Sequence, residues 1–412
     1  HHSQTAANAT VRNIITSFRL MSAYDWQDFF EDVSLVDQTL RKGSMYPRMD
    51  FATRDRYRHA LEQISRTSPL SQLEIAQKLI EASQATGVDP GFLLIDDGRE
   101  EFEKMVQAPR SFGRRLRQQY LTHGSDLFLG GIIAATLLTY GLLNLALKEF
   151  HPSWWMCLIA LIPAIEIAVG VVNRSTVALL GPQHLPRLNL ETGIPEEYKT
   201  FVVIPTMVSK KSDIDSHLEQ LEIHYLSNPD GFVHFALLTD FKDSSVETHA
   251  EDEKLVRTMQ NRIDALNEKY AEVSPGNKRF FIFHRRRIFN PSEQKWMGWE
   301  RKRGKLTEFN RLLLGHNQTS HMSLDSQVVS APAKVKYVIT LDSDTKLPKG
   351  AVANLVGTLA HPLNHPEFKN GKVVNGYGIL QPRITTLLPA AHEVTLYQRL
   401  TSGPWGVDPY AV

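Results

Sequence analysis

Two apolar stretches separated by six residues limit this chain more than any other feature. Leu127 to Leu147 carries no charged residue and has about the length of a helix that spans a bilayer. Trp154 to Val172 is a second run of similar length, interrupted only by Pro163 and Glu166. The link between them, Lys148 to Ser153, is short enough for a tight hairpin. Neither run shows an amphipathic stripe, which disfavours a pair of buried core helices. Basic residues set the expected orientation. Arg110, Arg114, Arg115 and Arg117 precede the first run and Arg174 follows the second, whereas the link offers only Lys148. The flanks are therefore expected to be cytoplasmic, with Trp154 and Trp155 at the outer interface. Glu166, an ionisable group at membrane depth, is either functional or protonated, paired or close to the interface.

The 412 residues suffice for more than one core. Lysine and arginine total 46 against 45 acidic residues, so the chain lacks the basic excess of a general nucleic-acid binder. The single cysteine, Cys157, lies in an apolar run. There is no disulfide framework and no zinc pattern, which fits a reducing compartment. The chain opens with His1 and His2 and shows no signal-peptide pattern, so it reads as part of a longer protein.

Residues 1–120 read as a helical region. "DWQDFFEDVSLVDQTL" places Trp26, Phe29, Phe30, Val33, Val36 and Leu40 at helical spacing, as a core face. "SQLEIAQKLIEASQATG" opens with a capping box, Ser71 with Glu74, and closes at Gly87. Residues 126–173 are the membrane hairpin and 174–198 a linker. From 199 to 412 strands and helices alternate. "FVVIP", "VHFALLTD", "RFFIFH" and "VKYVITLDSD" read as buried strands, separated by helices such as "SDIDSHLEQLEIHYL" and "RGKLTEFNRLLLG". "VVNGYGILQPRI" reads as a further strand. This order predicts an α/β fold with a doubly wound, mostly parallel sheet. No dinucleotide-binding or Walker glycine pattern follows any strand.

Ligands of such sheets bind at the carboxyl ends of the strands. Those ends carry Pro205 and Thr206, then Asp240 and Asp243, then the basic, aromatic run "HRRRIFNPSEQKWMGWERKRGK", then Asp342 and Asp344. A nucleotide sugar needs such parts. A carboxylate, Asp240 or Asp243, accepts a uracil N–H. Asp342 and Asp344 offer hard oxygen ligands to a divalent ion on a diphosphate. Lys302, Arg303 and Lys305 are candidates for the remaining phosphate charge. Trp296 and Trp299 are either sugar platforms or packing. His284 and Arg285 to Arg287 read as surface or lipid-headgroup contacts. Two other readings of Asp-Ser-Asp remain: a structural turn, and the nucleophile of a haloacid-dehalogenase-type phosphatase. Lys346 in the fifth place of that motif counts against the phosphatase.

Several strings resemble the glycosyltransferase region of cyclic β-1,2-glucan synthases: "FVVIPTM", "NPDGFVHFALLTDFKD", "WMGWERKRGKLTEFNRLL", "YVITLDSDTKLPKGAV", "LAHPLNHP" and "GYGILQPRI". The N-terminal "SFRLMSAYDWQDFFEDVSLVDQTLR" and "RMDFATRDRYRH" are similar to the same proteins. The resemblance implies a GT-A fold on membrane helices in a bacterial inner membrane. It implies inverting, processive transfer of glucose from UDP-glucose to a protein-primed β-1,2-glucan that is later cyclised. Carried over, Asp240 contacts the uridine, and Asp342 and Asp344 bind Mg2+ or Mn2+ and the diphosphate. Lys302, in the Lys-x-Gly position, approaches the diphosphate, while Gln381 and Arg383 lie near the donor or acceptor sugar. Tyr410 is a candidate site of self-glucosylation. The general base of the family is expected beyond Val412. The resemblance also implies a phosphorylase-like domain in the same polypeptide, and an export partner is compatible with it. Another β-glucan synthase of the same fold, or a non-catalytic export or scaffold subunit, are the alternative readings.

Overall fold

The computed structural model describes residues 2–23, 26–42, 44–109, 119–120, 122–147, 149, 151, 153–180, 184–229, 231–272, 278–316, 318–322, 331–382 and 395. The chain divides into two compact units. One comprises His1–Pro47, Phe51–Pro186 and Ile379–Val412; the other comprises Arg48–Asp50 and Arg187–Gly378.

The first unit is helical. It holds α1 (His2–Ala23), α2 (Trp26–Val33), α3 (Leu35–Leu40), α4 (Phe51–Ser65), α5 (Gln72–Thr86), α6 (Pro90–Ile95) and α7 (Arg99–Met105). The α5 capping box forms as its sequence requires, with the Ser71 hydroxyl accepting from the Glu74 N–H. Gly87 ends the helix in the left-handed region, at φ 71°. The apolar face expected over 26–40 does not form. The chain breaks at Ser34, which caps α3. Trp26, Phe29, Phe30 and Val33 are exposed, and Leu40 is buried. Beside an apolar core that includes Leu40, Tyr57, Leu61 and Ile64, this region buries an ionic cluster: Arg58 reaches Glu31, Asp37 and the Tyr46 hydroxyl, all buried.

The two apolar runs form α8 (Gly124–Leu147) and α9 (Trp154–Leu180), both long and apolar enough to cross a bilayer. They pack against each other through small residues. Ala160, Ala164 and Ala168 recur every fourth residue along α9 and are buried, while the surrounding Leu and Ile side chains face outward. The Thr139 hydroxyl donates to the Ala164 carbonyl at 3.1 Å. Lipid offers no hydrophobic drive for helix association, so close backbone approach over small residues supplies the contact. Neither helix carries an amphipathic stripe; the contact face is marked by residue size, as a row of alanines. Glu166 is exposed on this hairpin.

The second unit is the α/β part. Its elements are β1 (Thr200–Val208), α10 (Lys211–Ser227), β2 (Val233–Phe241), α11 (Asp252–Lys269), β3 (Phe280–Arg285), β4 (Ile288–Asn290), β5 (Lys295–Met297), α12 (Arg301–Leu313), β6 (Tyr337–Thr340), α13 (Ala351–Ala360), β7 (Glu367–Lys369) and β8 (Lys372–Asn375). Four strands form one sheet in the order β3-β2-β1-β6, and every pairing is parallel. Central β1 and β2 are nearly continuous apolar runs because helices cover both faces. On one face, Phe201, Val203, Ala236, Leu238 and Phe283 meet Phe309 of α12. On the other, Phe235 and Phe280 pack edge-on against Tyr225 of α10. Each such buried aromatic contributes about 1.5–3 kcal/mol of burial free energy.

Two local hairpins depart from the expected pattern. The basic run contains β4 and β5, which pair antiparallel. The strand expected over "VVNGYGILQPRI" is reduced to β8, which pairs antiparallel with β7 and stays outside the main sheet. Asn370 and Gly371 join them with φ of 53° and 74°. Positive φ at both central positions is what a two-residue hairpin turn needs.

Candidate functional site

Parallel pairing brings four strand ends to one edge of the sheet. β1 and β2 run in register to Met207 opposite Asp240, and Asp240 lies opposite Arg285 of β3. Beyond β6 the Leu341 N–H still donates to Val203 at 3.0 Å, so Asp342 leaves the sheet beside the middle of β1, which runs on to Val208. There Asp342 is ion-paired with Lys302, in the first turn of α12. Both are more than half exposed. Asp344 is exposed two residues on, inside a turn in which the Thr345 N–H donates to the Asp342 carbonyl. Pro205 is half-buried. Thr206 is buried and its hydroxyl shares a hydrogen bond of 2.7 Å with His217 Nε2. Asp243, half-buried, pairs with Arg301 at 3.1 Å, and Arg301 also reaches Glu293 at 2.9 Å.

Asp240 differs from these. It is 3% exposed, and both its oxygens are engaged by Arg285. Nε donates to Oδ1 at 2.8 Å and Nη2 to Oδ2 at 2.9 Å. Lys305, also buried, lies 3.3 Å from Oδ2 and donates to the Thr206 carbonyl. Arg285 is completely buried. It donates further to the carbonyls of Trp299 and Arg301, each at 3.1 Å, and to Glu308 at 3.4 Å. Glu308 in turn accepts from the Ser320 hydroxyl and N–H. Two acids and two bases thus balance inside the fold, as buried charges must. Burial pulls the Lys305 ammonium below its ordinary pKa, with Asp240 acting against it. His284, hydrogen-bonded to Thr239 at 2.7 Å, is pushed down to about 3 by burial.

Glycine makes this packing possible. A β-carbon at 298 would overlap Asp240 Oδ2, and one at 304 would overlap the Trp299 carbonyl. The glycines of "WMGWERKRG" therefore let the loop and the first turn of α12 close over the Asp240–Arg285 pair.

The reading of His284 and Arg285 to Arg287 as surface residues is corrected. His284, Arg285 and Arg287 are buried, and only Arg286 is exposed. Arg287 is held by Asp252 and stacks on Phe241 at 4.5 Å. Consecutive arginines look solvated in a sequence, but Arg285 ends β3 inside the fold and Arg287, past the strand, turns back onto Asp252 and Phe241. Of the two tryptophans, Trp296 packs on Phe289 at 5.5 Å and exchanges backbone hydrogen bonds with Ser244. Trp299 is 40% exposed. Gln381 is exposed, and Arg383 and Tyr410 lie outside the described residues.

The described residues hold no group of three or more His, Cys, Asp or Glu side chains able to bind a metal. Asp342 and Asp344 nonetheless suit a hard cation that keeps several waters and takes its other oxygens from a phosphate, as Mg2+ does.

No family model matches the chain. It is 37% identical over 425 residues to the cyclic β-(1,2)-glucan synthase NdvB of Rhizobium meliloti (strain 1021), an alignment covering 98% of the chain. The chain spans 15% of the length of that relative. Along nearly its whole length, the chain is therefore similar to one part of a cyclic β-1,2-glucan synthase.

Proposed function

We propose that the chain is the membrane-associated glycosyltransferase part of a glucan synthase, taking glucose from UDP-glucose and adding it to a β-1,2-glucan. The observation that carries this reading is the meeting of Lys302 with Asp342 at the carboxyl edge of a parallel sheet. A cation and a carboxylate pair there, with Asp344 beside them, are the parts that a sugar diphosphate requires. The similarity to a glucan synthase supports the substrate class.

In this reading Asp342 and Asp344 hold Mg2+ or Mn2+, and Lys302 takes phosphate charge. The ion, when bound, supplies Lewis-acid stabilisation of the leaving diphosphate. Pro205, Thr206, Asp240 and Asp243 form the nucleoside side, and Gln381 and Arg383 the sugar side. Inversion, processivity, priming on a tyrosine such as Tyr410 and later cyclisation belong to the same reading. So do a base beyond Val412, an inner-membrane location and a cytoplasmic catalytic unit.

Membranes containing the protein, supplied with labelled UDP-glucose and a divalent ion, test it through linkage analysis of the product. β-1,2-linked glucose is expected, with Asp344→Ala lowering incorporation about 100-fold or more. Another linkage would reassign the product, and no transfer even with the base-bearing segment present would favour a scaffold.

A further inference from the structure

The first turn of α12 carries Arg301 and Lys302, which grip carboxylates at two separate strand ends. Arg301 holds Asp243 beyond β2, and Lys302 holds Asp342 beyond β6. This turn begins irregularly. Glu300 and Arg301 have φ of 51° and 46°, in the left-handed region that side chains disfavour. No side chain caps the helix start. Something else must hold this backbone, and the contacts show what does. One guanidinium, Arg285, accepts the load from beneath. Its Nη1 donates to the Trp299 carbonyl and its Nη2 to the Arg301 carbonyl, each at 3.1 Å. Its remaining donors are fixed on Asp240 and Glu308, which leaves the group no rotational freedom. The missing β-carbons of Gly298 and Gly304 admit it.

We infer that Arg285 is a positioning residue that sets Lys302 against Asp342 by anchoring the carbonyls of Trp299 and Arg301, with Asp240 as its counter-ion. Arg285 touches neither Lys302 nor Asp342 through its side chain; it acts through the backbone between them. Only the planar five-donor fork of arginine serves two carbonyls and a carboxylate together. Lysine keeps the charge and loses that geometry. The consequence for ligand binding rests on the donor-site reading above; the consequence for the Lys302–Asp342 contact does not.

Carbodiimide treatment joins an amine to a carboxylate only where the two already touch, so it reports the Lys302–Asp342 contact without any ligand. The cross-linked peptide is quantified by mass spectrometry in the full chain and in Arg285→Lys. The expected result is a several-fold lower yield in Arg285→Lys, at unchanged yield for the separate Lys269–Glu222 pair between α11 and α10, which serves as an internal standard for folding. Wild-type yield in a folded Arg285→Lys protein overturns the inference. Should that variant not fold, hydrogen exchange of the unmodified protein decides. Slow exchange of the Arg301 and Gly304 amides, which donate to the Gly298 and Glu300 carbonyls, supports an anchored turn, and exchange of both at the rate of an exposed amide overturns it.

UDP affinity then separates the two readings. If Arg285 positions Lys302, Arg285→Lys and Lys302→Gln weaken UDP binding non-additively, because the second change removes what the first has already misplaced. Additive losses overturn the positioning role. A lowered cross-link yield with UDP binding indifferent to Lys302→Gln keeps the positioning role and removes the donor-site reading.

Discussion

At the residue scale, the buried brace under the strand ends explains why glycine stands at 298 and 304. Each position lacks room for one carbon, because Asp240 fills the space at 298 and the Trp299 carbonyl fills it at 304. Gly298→Ala and Gly304→Ala should each destabilise the fold by about 1–3 kcal/mol, the usual cost of overpacking. Thermal unfolding in detergent reads this, and Gly315→Ala is no comparison because its φ of 85° adds a backbone penalty of its own. Gly124→Ala, with open space around the new carbon, should be nearly neutral. The candidate acids stood out in the sequence by their strand-end position, and Lys302 by the basic run that opens α12. Arg285 was not. A run of three arginines looks like a solvated face, and the pairing that buries one of them is set by the parallel register with β2.

At the scale of elements, the hairpin of α8 and α9 was legible from length and apolarity alone, while its contact face was not. Alanine is as apolar as its neighbours by any stripe criterion, yet Ala160, Ala164 and Ala168 are the residues that close the interface. Ala164→Leu should separate the helices locally and disturb the Thr139 hydrogen bond to the Ala164 carbonyl. The expected outcome is a lower midpoint of heat inactivation or aggregation in detergent, with Ile162→Leu on the exposed face unchanged. The strands of the sheet were equally legible, as apolar runs between helices. The β7–β8 hairpin was missed because the expected strand began at Val373, past the Asn370-Gly371 turn, and because β7 is three residues long with lysine and glutamate at its ends.

At the scale of the α/β unit, buried histidines make acid sensitivity a property of the fold. His234 and His361 are pushed down to about 4 and His284 to about 3, each chiefly by burial. All three are buried outside the apolar hairpin. The unfolded chain binds protons near pH 6.5 and the folded unit does not, so the unfolded state holds more protons between about pH 6.5 and 4. The histidine contribution is therefore complete above pH 6.5 and is lost as pH falls. Each histidine removes up to about 1.4 kcal/mol per pH unit in that window. A urea or thermal midpoint measured from pH 7.5 to 4.5 should fall steadily below about pH 6.5, and His234→Gln should flatten the slope.

The central claim is that the strand-end carboxylates clamp a nucleotide diphosphate through a divalent ion. Equilibrium binding of UDP to the detergent-solubilised protein, with and without Mn2+, tests it most directly, with Asp344→Ala measured alongside. The account predicts binding that requires Mn2+ and weakens at least about tenfold in Asp344→Ala. UDP binding that is indifferent both to the ion and to Asp344 would contradict it.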